Sequence, residues 1–283
     1  MENKRLKILK NEIRKNKLVV FAMIFIVVII IISLIAPLLP LDPSTPDTAN
    51  RYAPPSWAHP FGTDKLGRDY FSQAVYGGRV SLLVGVLSMV ASVTIGVFVG
   101  TTAGYFGGAV DNVLMRVVDI LMAIPWMILV TVVSIVFKPG LSTVILIIGL
   151  FTWMDIARLV RAETLSAKEK DYVSYSKFLG RSSFATIFSH VLPAILPTVI
   201  VTATYTISNA IMTESSLSFL GFGVRPPMSS WGAMLQAAQG EMEHSVILAV
   251  VPGLLIMLTV FSFNKIGNVL RVVVEPNVTA GDE

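Results

Sequence analysis

The chain has 283 residues, of which 54% are hydrophobic and only 14% charged, against about 25% charged in an average soluble domain. A water-soluble fold of this length could not hide that much apolar surface behind so thin a polar exterior, which excludes a soluble enzyme, a disordered chain and a secreted disulfide scaffold. With no cysteine there is no thiolate or disulfide chemistry; His59, His190 and His244 are too far apart for metal-ligand spacing; and the net charge of +4 matters through its placement rather than its size.

A membrane span needs roughly 20 predominantly apolar residues, so runs free of Asp, Glu, Lys and Arg mark the expected helices. The first covers residues 18–41 and follows seven basic residues within 1–17. It is longer than the apolar stretch of about 7–15 residues in a signal peptide. No small-x-small cleavage site follows it, so it reads as an uncleaved anchor. Residues 42–79 come next, polar and proline-rich at first (Pro43, Pro46, Pro54, Pro55). They read as an external loop that packs on the outer face of the bundle or touches substrate. The second run, 80–110, carries Gly85, Gly96, Gly100 and Gly104, which permit close helix approach. The third is 120–137 and the fourth 139–154, with Asp155, Arg158 and Arg161 expected as interfacial anchors where the chain leaves the membrane.

The segment 161–193 is too long for a simple connector of about 2–8 residues. Ser166-Ala-Lys-Glu169 matches a capping box, which places a helix over about 167–179, ended by Gly180 in the left-handed conformation. A second short helix is expected to stop near Pro193. This amphipathic, basic helix–Gly–helix element is either an interfacial helix on anionic lipid or a docking element for a partner. The fifth run is 182–213, interrupted early by His190, Pro193 and Pro197. Its polar residues include Tyr205, Ser208 and Asn209, and Glu214 follows at its outer end. An ionisable group there faces a water-filled path or gate, or pairs structurally with Arg79 or Arg225. Tyr205 and Asn209 are the other path candidates. The sixth run is 245–264.

The expected fold is therefore an all-α bundle of six transmembrane helices. On that count sixteen of the 22 Lys and Arg residues fall on one side and six on the other, so both termini and the 161–193 loop are expected to be cytoplasmic. The organisation is a basic N-terminus (1–17), a first helix (18–41), an external loop (42–79), a five-helix core (80–270) and a C-terminal tail (271–283). In that tail Asn277-Val-Thr279 matches a glycosylation acceptor but lies on the wrong side.

Three blocks resemble a known family. Gly180, nine residues, then His190-Val-Leu192-Pro193 is similar to the EAA loop of ABC-importer permeases, with Ser174-Tyr175-Ser176 where Glu-Ala-Ala would stand and His190 where Ile is usual. His59-Pro-Phe-Gly-Thr-Asp-Lys-Leu-Gly-Arg-Asp69, continuing to Tyr76-Gly-Gly-Arg-Val-Ser81, resembles the C-type permease subunit of oligopeptide/dipeptide (peptide/nickel) importers. So does Glu214-Ser-Ser-Leu-Ser-Phe-Leu-Gly-Phe-Gly223 with Ser230-Trp231-Gly232, and Arg116-Val-Val-Asp119 with Pro125 fits the same pattern. The resemblance implies a type I importer permease. Its partners would be a B-type permease, two cytoplasmic ATPases that hold ATP and Mg, an external peptide-binding protein and the lipid bilayer, with no nucleic acid. The chain lacks a Gly-x-x-x-x-Gly-Lys-Ser/Thr phosphate loop, so no catalytic residue, metal or cofactor is expected on it. Implied ATPase contacts are Lys170, Asp171, Tyr172, Ser174, Tyr175, Ser176, Lys177, Phe178, Gly180, Leu192 and Pro193. The cargo would be oligopeptides or dipeptides carried across a bacterial cell membrane. The alternatives are a nickel or metallophore permease of the same family, and a stand-alone secondary transporter.

Overall fold

The computed structural model describes residues 16–274, apart from Pro139 and Pro227. Most of the basic N-terminus, and the tail from residue 275 with its Asn277 triplet, lie outside the described residues. Helix α1 (Lys17–Ile35) starts at Asn16, whose side chain accepts from the Leu18 amide at 3.0 Å. It is apolar on every side and leaves large residues such as Ile24 and Leu34 exposed, as a helix solvated by lipid does. Residues 36–69 form a folded cap. Helix α2 (Tyr70–Phe106) follows, capped by Asp69, which accepts from the Ser72 amide and hydroxyl at 2.7 and 2.6 Å. Residues 70–79 are therefore helix, not loop.

The third expected span, 120–137, is not one straight helix. The chain turns at Gly107 into α3 (Gly108–Met122) and breaks again over residues 123–125 into α4 (Trp126–Val136), bent 83° from α3. Pro125 cannot continue the helix that precedes it, and α4 alone is too short to span. Helix α5 (Leu141–Lys168) leads into α6 (Asp171–Phe178), α7 (Ser183–Thr186), a π turn (Ile187–Val191) and α8 (Leu192–Phe219). A short helix, α9 (Trp231–Ala238), precedes α10 (Ile247–Val274). Among the described residues, five helices are long and apolar enough to cross a membrane, or six if the bent α3–α4 pair counts as one span.

Close backbone approach holds α2 to α5. A Cβ at Gly100 would lie 2.5 Å from the Ala157 carbonyl oxygen, and one at Gly96 would lie 2.7 Å from the Ile156 Cβ. Side chains larger than hydrogen would force the helices apart, which is why small residues line membrane helix contacts. Helices α8 and α10 meet through polar bonds: the Ser208 hydroxyl donates to Asn264 and the Tyr205 hydroxyl to Asn268, both at 2.8 Å. Apolar layers stack along α2. Tyr70, Trp231 and Leu248 pack beneath the cap; Val84, Val130, Ile147 and Leu217 fill the middle; Tyr105, Val160, Val173, Val191 and Ile195 close the far end, beside α6.

Candidate functional site

Two sites emerge, one at each end. At the α6 end the expected capping box does not form. Ser166 lies inside α5, which runs on to Lys168, because Ala167 and Thr164 are buried against the bundle; tertiary burial outweighs a local cap worth about 1 kcal/mol. Helix α6 begins after Lys170 instead. It ends as the sequence indicates: Gly180 has φ +73°, its amide bonds the Lys177 carbonyl at 2.9 Å, and the Arg181 amide bonds the Ser176 carbonyl at 3.2 Å. That pair of bonds is a Schellman motif, and the left-handed residue it needs is strained for any residue with a Cβ.

The faces of α6 divide sharply. Val173 and Ser176 point inward. Val173 joins the apolar layer, and Ser176, expected among the docking contacts, instead shares a buried 3.2 Å hydrogen bond with Thr186. Outward point Tyr172, Tyr175, Phe178 and Leu179, a stripe at helical spacing that ends in Phe178 at 86% exposure. Phe184 and Phe188 from the next segment are also exposed. Asp171 and Ser174 lie exposed beside the stripe, and Lys170 sits at its start. Lys177 reaches back: its ammonium stands 4.5 Å from the centroid of the Tyr105 ring, a cation–π contact that ties α6 to the end of α2. Tyr105 was not among the expected site residues, because nothing local in sequence links it to Lys177.

Pro193 was expected to stop a helix, yet it occupies the first turn of α8. The π turn before it explains how. The ring of a helical proline clashes with the carbonyl four residues back, here Ser189. In the π turn the Leu192 amide bonds the Ile187 carbonyl instead, and the wider turn admits the ring. Leu192 is half-buried and Pro193 exposed. Arg181 fastens the same turn by donating to the Ser189 hydroxyl at 2.9 Å.

Arg158 and Arg161, expected as interfacial anchors, make ion pairs. Arg161 clasps Asp111 through two bonds, and Arg158 pairs with Asp119, so α3 is tied to the last turns of α5.

At the other end, Glu214 is fully buried and pairs with neither Arg79 nor Arg225 among the described residues. Its carboxyl accepts from the hydroxyls of Ser218 and Ser230, both at 2.6 Å, and of Ser81 at 3.2 Å. Ser230 in turn caps α9 by accepting from the Ala233 amide, and Ser81 accepts from the Trp231 amide at 3.2 Å. Glu214 thus pins α9 and the buried Trp231 to α2 and α8. Of the other two path candidates, Tyr205 is held by Asn268, while Asn209 is exposed on α8.

The long block from His59 to Asp69 builds the cap. The Asp64 carboxylate accepts from the amides of Leu66 and Arg68 and from the Arg68 guanidinium, and His59 bonds Asp69 at 3.0 Å. A latch joins the cap to the α9–α10 connection. The Tyr52 hydroxyl donates to Glu241, and the Lys65 ammonium lies 3.2 Å from the same carboxylate. The Tyr52 bond and the lysine hold the Glu241 carboxyl below its usual range, and the carboxylate pushes the Tyr52 hydroxyl up. Tyr52 is the one non-glycine residue with positive φ among those described.

The family model for the binding-protein-dependent transport system inner membrane component matches residues 68–280. That for the N-terminal transmembrane domain of oligopeptide transport permease C matches residues 11–55. The chain is 36% identical to the oligopeptide transport system permease protein OppC of Bacillus subtilis, over 94% of this chain and 87% of the relative. It is 38% identical to the dipeptide transport system permease protein DppC of the same organism, over 80% and 71%. It is also 38% identical to the glutathione transport system permease protein GsiD of Pectobacterium atrosepticum, over 79% and 74%. Matches of this extent, together with an all-helical bundle, make the chain a member of the inner-membrane components of binding-protein-dependent transport systems, the type I permeases of ABC importers.

Proposed function

We propose that this chain is one of two permease subunits of an ATP-driven importer that moves oligopeptides or dipeptides into the cytoplasm by alternating access. An external binding protein delivers the peptide. The partner permease is a similar B-type chain, and two cytoplasmic ATPases hold ATP and Mg. The names of the curated relatives, which carry oligopeptide, dipeptide and glutathione transport, support a peptide as cargo. The excess of Lys and Arg near the N-terminus and between α5 and α8 supports an orientation with α6 and both termini in the cytoplasm and the cap outside.

The observation that carries the reading is the division of α6. Its aromatic stripe is exposed while Val173, Ser176 and Lys177 fasten it to α2, α5, α7 and the π turn that leads into α8. A knob so attached cannot swing independently. When the ATPases close on ATP, α6 moves as a rigid body and carries the ends of three helices with it. Coupling needs the knob to be gripped in both states, because a partner with no differential interaction shifts no equilibrium. Tyr172, Tyr175 and Phe178 supply the grip in a helix-in-groove contact, with Lys170, Asp171 and Ser174 at its polar rim.

The test is a reconstituted importer with Tyr172→Ala and Phe178→Ala variants. The expected outcome is loss of peptide uptake while the bundle stays folded and the ATPases continue to hydrolyse ATP without stimulation by loaded binding protein. Normal stimulated uptake by both variants overturns the assignment of α6 as the docking helix.

A further inference from the structure

A cavity of about 840 Å³ opens at the cap end, between the cap, the first turns of α2 and α9. That size is in the range of sites that take small organic ligands, about 300–1,000 Å³. Five charged side chains line it: Asp64, Lys65, Arg68, Arg79 and Glu241. Four of them are already committed. Arg68 is bound to Asp64 at 2.6 Å and Lys65 to Glu241 at 3.2 Å. The polar groups of α2 on the same wall are committed too: the Tyr70 hydroxyl donates to the Leu248 carbonyl, the Gln73 amide to Asp64 and the Tyr76 hydroxyl to the Ala36 carbonyl. Arg79 alone among these charges has no carboxylate partner among the described residues, so the cavity carries one uncompensated positive charge.

The position of that charge is specific. Arg79 is nine residues into α2, roughly 13 Å along its axis from Tyr70, and is exposed to the cavity. Ser81, two residues on, lies on the far side of the helix and bonds Glu214, so the buried carboxyl cannot neutralise Arg79. An arginine inside a spanning helix normally faces a water-filled path. A guanidinium is built to bind a carboxylate through two parallel hydrogen bonds. Around it the wall is apolar and adaptable, with Leu83, Met228 and Met234. Unbranched methionines accept side chains of varied shape.

We infer that this cavity is a receiving site for peptides, in which Arg79 binds the C-terminal carboxylate and the methionine-lined wall accepts the side chains. One cation fixes the group that every unmodified peptide shares, and the soft wall leaves its sequence unread. The inference rests on the peptide reading of the function, which it deepens by assigning a contact in this chain.

The test uses the complete importer in proteoliposomes, with a peptide and its C-terminal amide each supplied as a saturated complex with the binding protein, so that delivery is equal. The wild type is expected to move the carboxylate form faster, by about tenfold, the scale of one charge-assisted hydrogen bond. Arg79→Gln is expected to bring the ratio to near one, and Arg79→Lys, which keeps the charge but not the paired hydrogen bonds, to keep only part of it. An unchanged ratio in Arg79→Gln overturns the inference, as does a wild type that treats both forms alike. Loss of the second permease subunit on purification of Arg79→Gln also overturns it, because the guanidinium would then be answering an acidic group of that subunit. Failure of the wild type to import either peptide, with intact ATP hydrolysis, would instead refute the peptide cargo itself.

Discussion

Removing the Glu214 carboxyl should free α9 from the bundle. Glu214→Ala takes away the acceptor for three hydroxyls, those of Ser81, Ser218 and Ser230. Two of those bonds, from Ser81 on α2 and Ser230 at the start of α9, cross between helices; such bonds average about 0.6 kcal/mol, which gives a floor of about 1 kcal/mol. Orphaned buried hydroxyls cost about 1–3 kcal/mol each, so the two on α2 and α9 set the expected loss between about 1 and 6 kcal/mol. Glu214→Gln keeps one acceptor oxygen for Ser218 and Ser230 and should cost only about 1 kcal/mol. Because the protein has no native cysteine, one thiol can report on α9 without background. Met234 is 3% exposed but borders the cap-end cavity, so in a Met234→Cys background it is the increase in labelling rate over the parent that measures how often α9 lifts away. A loss of 2 kcal/mol corresponds to labelling about 30-fold faster. If Glu214→Ala labels and unfolds like its parent, the serine cluster does not hold α9, and the account of that end of the bundle is wrong.

Gly100→Ala should separate α2 from α5 and cost about 1–3 kcal/mol, whereas Gly253→Ala, with open space around it, should be neutral or slightly stabilising; thermal unfolding of the two purified variants makes the comparison. The latch at Glu241 should respond to acid. Its carboxyl titrates lower in the folded protein than the ordinary value of 4.5, so the latch contributes stability above that pH and loses it as pH falls through the folded value. Tyr52→Phe removes the largest cause of the lowering, and hydrogen exchange over residues 52–68 should then accelerate at a higher pH than in the parent. Equal pH profiles for the two proteins would show that the tyrosine bond does not set the latch.

The helix count and the Gly180 turn were legible because both depend on local signals, an uncharged run and a residue tolerant of positive φ. The capping box at Ser166 was misleading for the opposite reason: its neighbours Thr164 and Ala167 are buried, and burial set at a distance decided where α5 ends. The partners of Glu214 could not be read from sequence, since Ser81 is 133 residues away and serine carries no charge to suggest a match. The bend at Pro125 was visible as a proline, but only packing could show that it splits one span into two helices at 83°. Asp111 and Arg161 stand 50 residues apart, and their meeting follows from the glycine contacts that bring α2 and α5 together.

The π turn at Ile187–Val191 constrains how this stretch of chain can change in length. A π turn is an α-helix that has taken in one extra residue. Deleting any one of those five residues would close the turn to regular α spacing and press the Pro193 ring against the carbonyl four residues back, the clash that the wider turn relieves. Because the wider turn takes in its extra residue within a single turn, the segments on either side would keep nearly the same rotation about the α8 axis. The aromatic stripe on α6 would still be made and still be exposed, and the strain would fall on the start of α8. A single deletion in 187–191 is therefore expected to unsettle the first turn of α8 while Pro193 is present, and to be tolerated once Pro193 is replaced by alanine.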